Sequence, residues 1–532
     1  MRHLTITITA VLLFLAALPS CTKAESKHER KAQPQGYTEL VQMYSRTHVY
    51  YSIEHTAEAC TITFDNKESI TLDSGEIEVD DFTGKEKKVI AWDENAQWMV
   101  GGEKTGVYRE EGMSDEEALP VYIGHNDSNL YLYISNGNLL KFEWKDEELQ
   151  GNIPVIYLTT KNNAQINSKE TYVEGTIKIS NPDRKFWDTE SFEAAMKIRG
   201  RGNSTWDMPK KPWKVKLEQK ARLFDMSNDK EWCLLANYCD KSLLRNIVAM
   251  ELSKRLGFKW TPKMVPVEVY LNGSYQGVYN FCEHKKVSKE RVDIDTDNGD
   301  ILFELEQNQD ETVCWWTEHG APVMFSEPEE PDAATIEYAK NFFKEFETAL
   351  WAKNFEKAYE YIDLDSFIDN FIIQELTKNV DGNLRKSTFL TLEKGGKLEM
   401  YHVWDFDISM GNCDYYGDGL KTWEGWWIKD RGAWGKNHGW YYRLFMDPDF
   451  TSKVKARWNE MKPEFDTIPD YIDRQAAILG EAPDRNFKKW NILNQYVWPN
   501  AKITGSYTGE VSWLKENYSK RLEWLDKKIN AL

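Results

Sequence analysis

The sequence predicts an α+β protein, and three observations carry that prediction. Short apolar runs separated by turn-rich pieces fill residues 37–150. Strand-like runs return after Pro154, and strongly amphipathic helical segments dominate from about residue 330 onward. The 532 residues are 41% hydrophobic and 13% aromatic, which suits large packed cores spread over two or three domains. A formal net charge of −19 excludes a general nucleic-acid binder, whose phosphate contacts need a basic face.

Residues 1–21, MRHLTITITAVLLFLAALPSC, have a basic start, an apolar run from Ile6 to Leu18 and small residues before Cys21. That is the layout of an export signal. Leu18-Pro19-Ser20-Cys21 resembles a lipoprotein box, which implies cleavage before Cys21 and lipid on its thiol. The expected localisation is the bacterial cell envelope, lipid-anchored and extracytoplasmic, with the membrane met through that anchor only. No later stretch approaches the roughly 18 uncharged apolar residues of a spanning helix. Residues 22–36 are polar and free of aliphatics, as a flexible tether would be. The remaining cysteines, Cys60, Cys233, Cys239, Cys282, Cys314 and Cys413, match no CxxC spacing; they read as small buried residues with room for one or two bridges outside the cytoplasm.

Residues 37–150 contain ACTITF, EIEVDDF, KKVIAW and NLYLYI between turns such as HNDSN and SNGN, a small β-rich, sandwich-like accessory module. Residues 151–532 form the second domain. Its expected strands are VIYLTT, GTIKIS, AMKIRG, WKVKL, MVPVEVYL, GVYNFCE and DILFELE. Its expected helices are DKSLLRNIVAMELSKRLG, TIEYAKNFFKEFETALWAKNFEKAYEYI, LDSFIDNFIIQELTKN and the last segment, whose apolar stripe runs from Trp513 to Ile529.

Three stretches carry chemistry. KIRGRGNSTWDMPKKPWKVKL sets Arg199 and Arg201 among glycines and small polar residues, then Lys214 and Lys216 on one face of a strand. This suits a polyanion approached closely by backbone, though equally a tight turn with solvated bases. In the second stretch Asp240 is expected to cap a helix that carries Lys241 and Arg245 in its first turns. A cation there opposes the helix dipole and calls for an anionic partner, phosphate or structural carboxylate. In WDFDISMGN, Asp405 and Asp407 are two apart, so a strand would turn both to one face, either toward water at its end or around a hard divalent cation. A tryptophan concentration, with Trp423, Trp426, Trp427, Trp434 and Trp440, reads as core under a long loop or as a glycan-facing platform.

IRGRGNSTW, PKKPWKVKL, LLANYCDKSLLRN, VEVYLNGSYQGVYNFCEHKKV and VWDFDISMGN, in this order, resemble the signature blocks of the CotH kinase family. The resemblance implies an atypical protein-kinase-like domain that binds ATP with Mg or Mn and phosphorylates Ser or Thr of a secreted or surface protein. It implies that Asp405 binds metal with Asp407 as helper, and that Asp381 is the catalytic acid. Arg199, Arg201, Lys214, Lys216 and Arg245 would meet the phosphates, with Lys216 and Glu283 as a kinase-like pair. Where many relatives carry a second metal-binding Asn stands Lys386, and Asn383 is the nearby substitute. Two other functions stay open: a CotH-fold binding lipoprotein that has lost transfer, and a surface glycan-binding lipoprotein.

Overall fold

The computed structural model describes residues 153–181, 186–415, 420–430 and 439–532 in full and, between Tyr51 and Glu143, ten strands by their backbone course. The export signal, the lipid site at Cys21 and the tether of residues 22–36 lie outside the described residues. Among the described residues no helix is long and apolar enough to cross a membrane. The chain divides into two compact units, Met1–Leu149 with Arg184–Asp188, and Gln150–Asp183 with Thr189–Leu532. Strands and helices are both abundant, as an α+β protein requires.

In the first unit, seven strands from Tyr51 to Tyr108 (β1–β7) form one sheet in sequence order, and three from Pro120 to Glu143 (β8–β10) form another. The expected runs ACTITF, KKVIAW and NLYLYI are three of them.

The second unit opens with a closed barrel of β11 (Val155–Thr160), β12 (Val173–Ser180), β13 (Ser191–Gly200), β14 (Trp213–Ala221), β15 (Asp229–Leu235), β16 (Met264–Leu271) and β17 (Ser274–Glu283). The order is β11-β12-β13-β14-β15-β17-β16. Neighbours run antiparallel except at the closure, where β11 lies parallel to β16. Side chains alternate along each strand. In β14 this buries Trp213, Val215 and Leu217 and turns Lys214 and Lys216 the other way. A second, antiparallel sheet has the order β19-β20-β18-β21-β22, with β18 (Ile301–Leu305), β19 (Cys314–Trp316), β20 (Pro322–Glu327), β21 (Thr388–Leu392) and β22 (Leu398–Val403).

The helices of eight or more residues are α1 (Arg245–Leu256), α2 (Ala333–Trp351), α3 (Leu364–Thr377), α4 (Pro448–Asp466), α5 (Ile468–Leu479), α6 (Ala482–Lys489) and α7 (Tyr507–Asn530). Central among them is α3, which starts where Asp363 accepts the Ser366 N–H and packs against α1, α4, α7 and β22. Two helical expectations need correction. Residues 240–244 are turns: the Asp240 carboxylate accepts the N–H of Ser242 and of Arg245, so α1 starts only at Arg245 and Lys241 lies before it. The long helix expected from Thr335 breaks after Trp351, where Lys353 is left-handed and Asn354 caps a separate turn.

A candidate active-site cleft

Chain segments leaving β13, β15, β17, α3 and β22 converge on one cleft that encloses about 1330 Å³ with its open mouth included. Arg201 and Asn203 come from the β13–β14 loop, Asn237 and Cys239 follow β15, and His284 and Lys285 follow β17. Asp381 and Lys386 lie beyond α3, and Asp405 and Asp407 lie beyond β22.

The WDFD stretch is not a strand. β22 stops at Val403, and Asp405 takes a left-handed φ of +67°, a conformation rare for residues with a Cβ. Both acids therefore reach the cleft by a turn, not by sharing a strand face. The turn is held on every side. The Phe406 N–H donates to Asn246 Oδ1 at 2.8 Å, and the Met410 N–H donates to the Thr377 carbonyl at 2.7 Å. Arg245 Nε donates to the Ser409 carbonyl at 3.0 Å, and Asn412 Nδ2 donates to the carbonyls of Asp407 and Cys239. The Cys239 thiol donates to Asp407 Oδ2 at 3.2 Å.

The electrostatics are those of crowded anions. Burial, then Asp407 and Asp381, push the Asp405 carboxyl well above its usual range against the pull of Arg201 and Lys386. Asp407 rises to about 6, through burial first and then Asp240 and Asp381, although the Cys239 thiol and Arg201 oppose it. Glu306, also in the cleft wall, rises to about 7, chiefly by burial. Asp381 is held by Arg385 at 2.7 Å. Of the cations, Arg201 lies over the Trp404 ring, Lys285 pairs with Glu304, and Lys386 stands 3.9 Å from Glu306.

These carboxylates fit a hard divalent cation. Paired, mutually repelling and partly open to the cleft, Asp405 and Asp407 supply the oxygen donors such an ion takes. Among the described residues no group of three or more His, Cys, Asp or Glu side chains converges as a metal site. An ion of the Mg²⁺ type takes one or two carboxylates and completes its shell with water and phosphate oxygens.

Of the residues singled out in the sequence, Arg201, Asp381, Lys386, Asp405 and Asp407 line the cleft. Six others do not. Arg199 donates to the Lys169 carbonyl and lies over Tyr172. Lys214 and Lys216 both pair with Glu231, at 2.7 and 3.0 Å. Glu283 accepts the backbone N–H groups of Ser227 and Lys263, so the Lys216–Glu283 pair does not form. Arg245 is wholly buried on Asp240 at 2.6 Å and supports the Asp405 turn from outside the cleft lining. Asn383 is 6% exposed with its Oδ1 unpartnered, away from the cleft lining. Sequence reasoning missed Glu304 and Glu306, whose two-residue spacing in DILFELE is the signal it used at Asp405 and Asp407. It also passed over Lys285 and the buried Asn237, whose Nδ2 has no partner.

The tryptophan segment is packed. Trp427 and Trp440 are buried, Trp426 meets Trp524 edge-on, and Lys520 lies over Trp423. Trp434 lies outside the described residues. A family model described as CotH kinase protein matches residues 198–525, more than half of the chain. No curated protein matches the chain significantly.

Proposed function

The chain belongs to the CotH kinase family, and on that premise we propose that it is an extracytoplasmic atypical Ser/Thr protein kinase that moves the γ-phosphoryl group of ATP to a secreted or surface protein. The barrel and the helical body are then the two lobes of an atypical protein-kinase-like domain. The observation that supports this best is the meeting of Asp381, Asp405 and Asp407 with Arg201 and Lys386 in one cleft. Phosphoryl transfer is mostly positioning and charge stabilisation. Asp381, steadied by Arg385, accepts a hydrogen bond from the acceptor hydroxyl and takes its proton as that oxygen bonds to the γ-phosphorus and the bond from phosphorus to the bridging oxygen breaks, releasing ADP. Arg201 and Lys386 face the negative charge spread over the transferring oxygens. Asp405 and Asp407 would hold Mg²⁺ or Mn²⁺, which when bound neutralises phosphate charge. The location rests on the signal before Cys21; Cys21→Ser should release the protein from the membrane fraction, and unchanged fractionation would remove the anchor.

The test separates the acids. Asp405→Ala should abolish both Mn²⁺-dependent ATP binding and phosphate incorporation. Asp381→Asn should leave that binding near wild type while transfer falls by about 10²–10⁴-fold. Calorimetry beside a labelled-phosphate assay reads both. A wild type that binds ATP with Mn²⁺ but transfers nothing favours the binding-protein alternative, for which Lys386 in place of a second metal-binding Asn speaks. A wild type that binds no ATP overturns the kinase reading.

A further inference from the structure

We propose that Cys233 and Cys282 are a disulfide-forming pair, a modification site that staples β15 to β17. The inference stands on the barrel's geometry and is independent of the kinase reading. The two residues are direct partners in the antiparallel β15–β17 ladder, so both side chains leave the same face. Direct partners have Cα atoms about 4.5 or 5.5 Å apart, inside the roughly 4.4–6.8 Å that a disulfide spans. Each thiol is among the causes that shift the other's titration, so the two are close neighbours. The site is also electropositive. Burial pushes the Cys233 thiol up, but Cys282, Arg201, Lys214 and Arg291 outweigh it and bring Cys233 down to about 7, while Cys282 is held high by burial and its partner.

The staple has a place to act. Beyond Cys233, β15 runs into Leu235, Asn237 and Cys239; beyond Cys282, β17 runs into His284 and Lys285. Both continuations wall the cleft, so the bond would fix their separation.

The oxidant is a disulfide of low molecular weight or on a partner protein. The Cys233 thiolate attacks one of its sulfurs and expels a thiolate; the Cys282 thiolate then attacks the Cys233 sulfur of the mixed disulfide and expels the second. Two protein thiols become one disulfide, the oxidant is reduced to two thiols, and the two protons pass to the departing thiolates. Both cysteines are fully buried in the finished barrel. The exchange therefore belongs to folding, before β15 and β17 close over the pair.

The chain is unfolded in reductant and refolded in two ways, in a mixture of reduced and oxidised glutathione and in reduced glutathione alone. Remaining thiols are alkylated in denaturant and the chain is digested without reduction. The expected result is a peptide pair joining Cys233 to Cys282 in the first preparation only, with a higher melting temperature there. In Cys233→Ala/Cys282→Ala the two preparations should melt alike. Recovery of both cysteines as alkylated thiols after oxidative refolding overturns the proposal, as does a bridge from either to Cys239, Cys314 or Cys413. Equal melting temperatures of the two wild-type preparations would overturn the stapling role.

Discussion

Glu231 lies between Lys214 and Lys216, and its carboxyl is held at about 2 against an ordinary 4.5 because the two lysines outweigh the upward push of burial. A carboxyl with a depressed folded value contributes stability that is complete above its unfolded value and is lost as pH falls through the folded one. The window is therefore pH 4.5 down to 2. The full shift is worth about 3 kcal/mol. Because the Lys216 side chain is 47% exposed, screening reduces this to about 1–2 kcal/mol. Glu231→Gln should cost that much at pH 7 and flatten the acid limb of the melting curve between those values. An acid limb identical to wild type would show that the pair contributes nothing. The same cluster shows what single residues disclose in sequence. Asp405 and Asp407 were legible as a pair because carboxylates two residues apart need a partner, whatever their backbone does, whereas Asp381 stood out only through the resemblance to the family. The partner of Lys216 was not, since cross-strand register sets it opposite Glu231, and one sequence carries no register. The turn at Asp405 was hidden for a related reason: W-D-F-D alternates like a strand and only the left-handed φ breaks it.

At the scale of elements, the end of α3, the tryptophan segment and α7 are joined by one buried ion pair. Arg521 of α7 meets Glu375 of α3 at 2.6 Å and also donates to the carbonyls of Trp423 and Gly425. Glu375 accepts the backbone N–H groups of Trp427, Ile428 and Lys429. Buried charges are costly to leave alone. Arg521→Met should therefore cost about 3–5 kcal/mol in chemical denaturation, since Glu375 would keep its buried charge without a counter-ion. Adding Glu375→Gln should recover part of that loss, because the two changes share one network. A double variant as unstable as the sum of the singles would mean the pair is not coupled. The strands from VIYLTT to DILFELE were readable from period-two alternation, and α2, α3 and α7 from their apolar stripes. DKSLL was misread as helix because Asp240 spends its carboxylate on the Ser242 and Arg245 N–H groups, satisfying in a turn what a helix would have used. The strand DKEWCLL was missed because Asp229, Lys230 and Glu231 mask its apolar end.

For the whole molecule, the barrel depends on a contact that no local pattern announces. β11 pairs antiparallel with β12 over Val155–Thr160 and parallel with β16, where Val155 faces Glu268. Such a closure joins chain segments more than a hundred residues apart, so its loop-entropy cost must be met before the contact rewards it. Once formed it leaves the barrel without an edge. The unit from Gln150 onward holds the barrel, the second sheet and the helices, and so a chain beginning at Gly151 should fold, unfold in one cooperative transition and keep the Mn²⁺-dependent ATP binding proposed for it. A chain beginning at Lys161 lacks only β11 in addition. It should expose the ladder groups of β12 and β16 as open edges, and open edges recruit other chains. Light scattering should then show association at concentrations where the longer fragment stays monodisperse, and the near-ultraviolet dichroism of the barrel's Trp213 and Trp232 should weaken. The cleft should fail with it, since Arg201, Asn237, His284 and Lys285 all hang from barrel strands. A fragment from Lys161 that remains monodisperse and binds ATP as tightly as the longer one would mean that β11 is dispensable and that the remaining six strands set the cleft without closure.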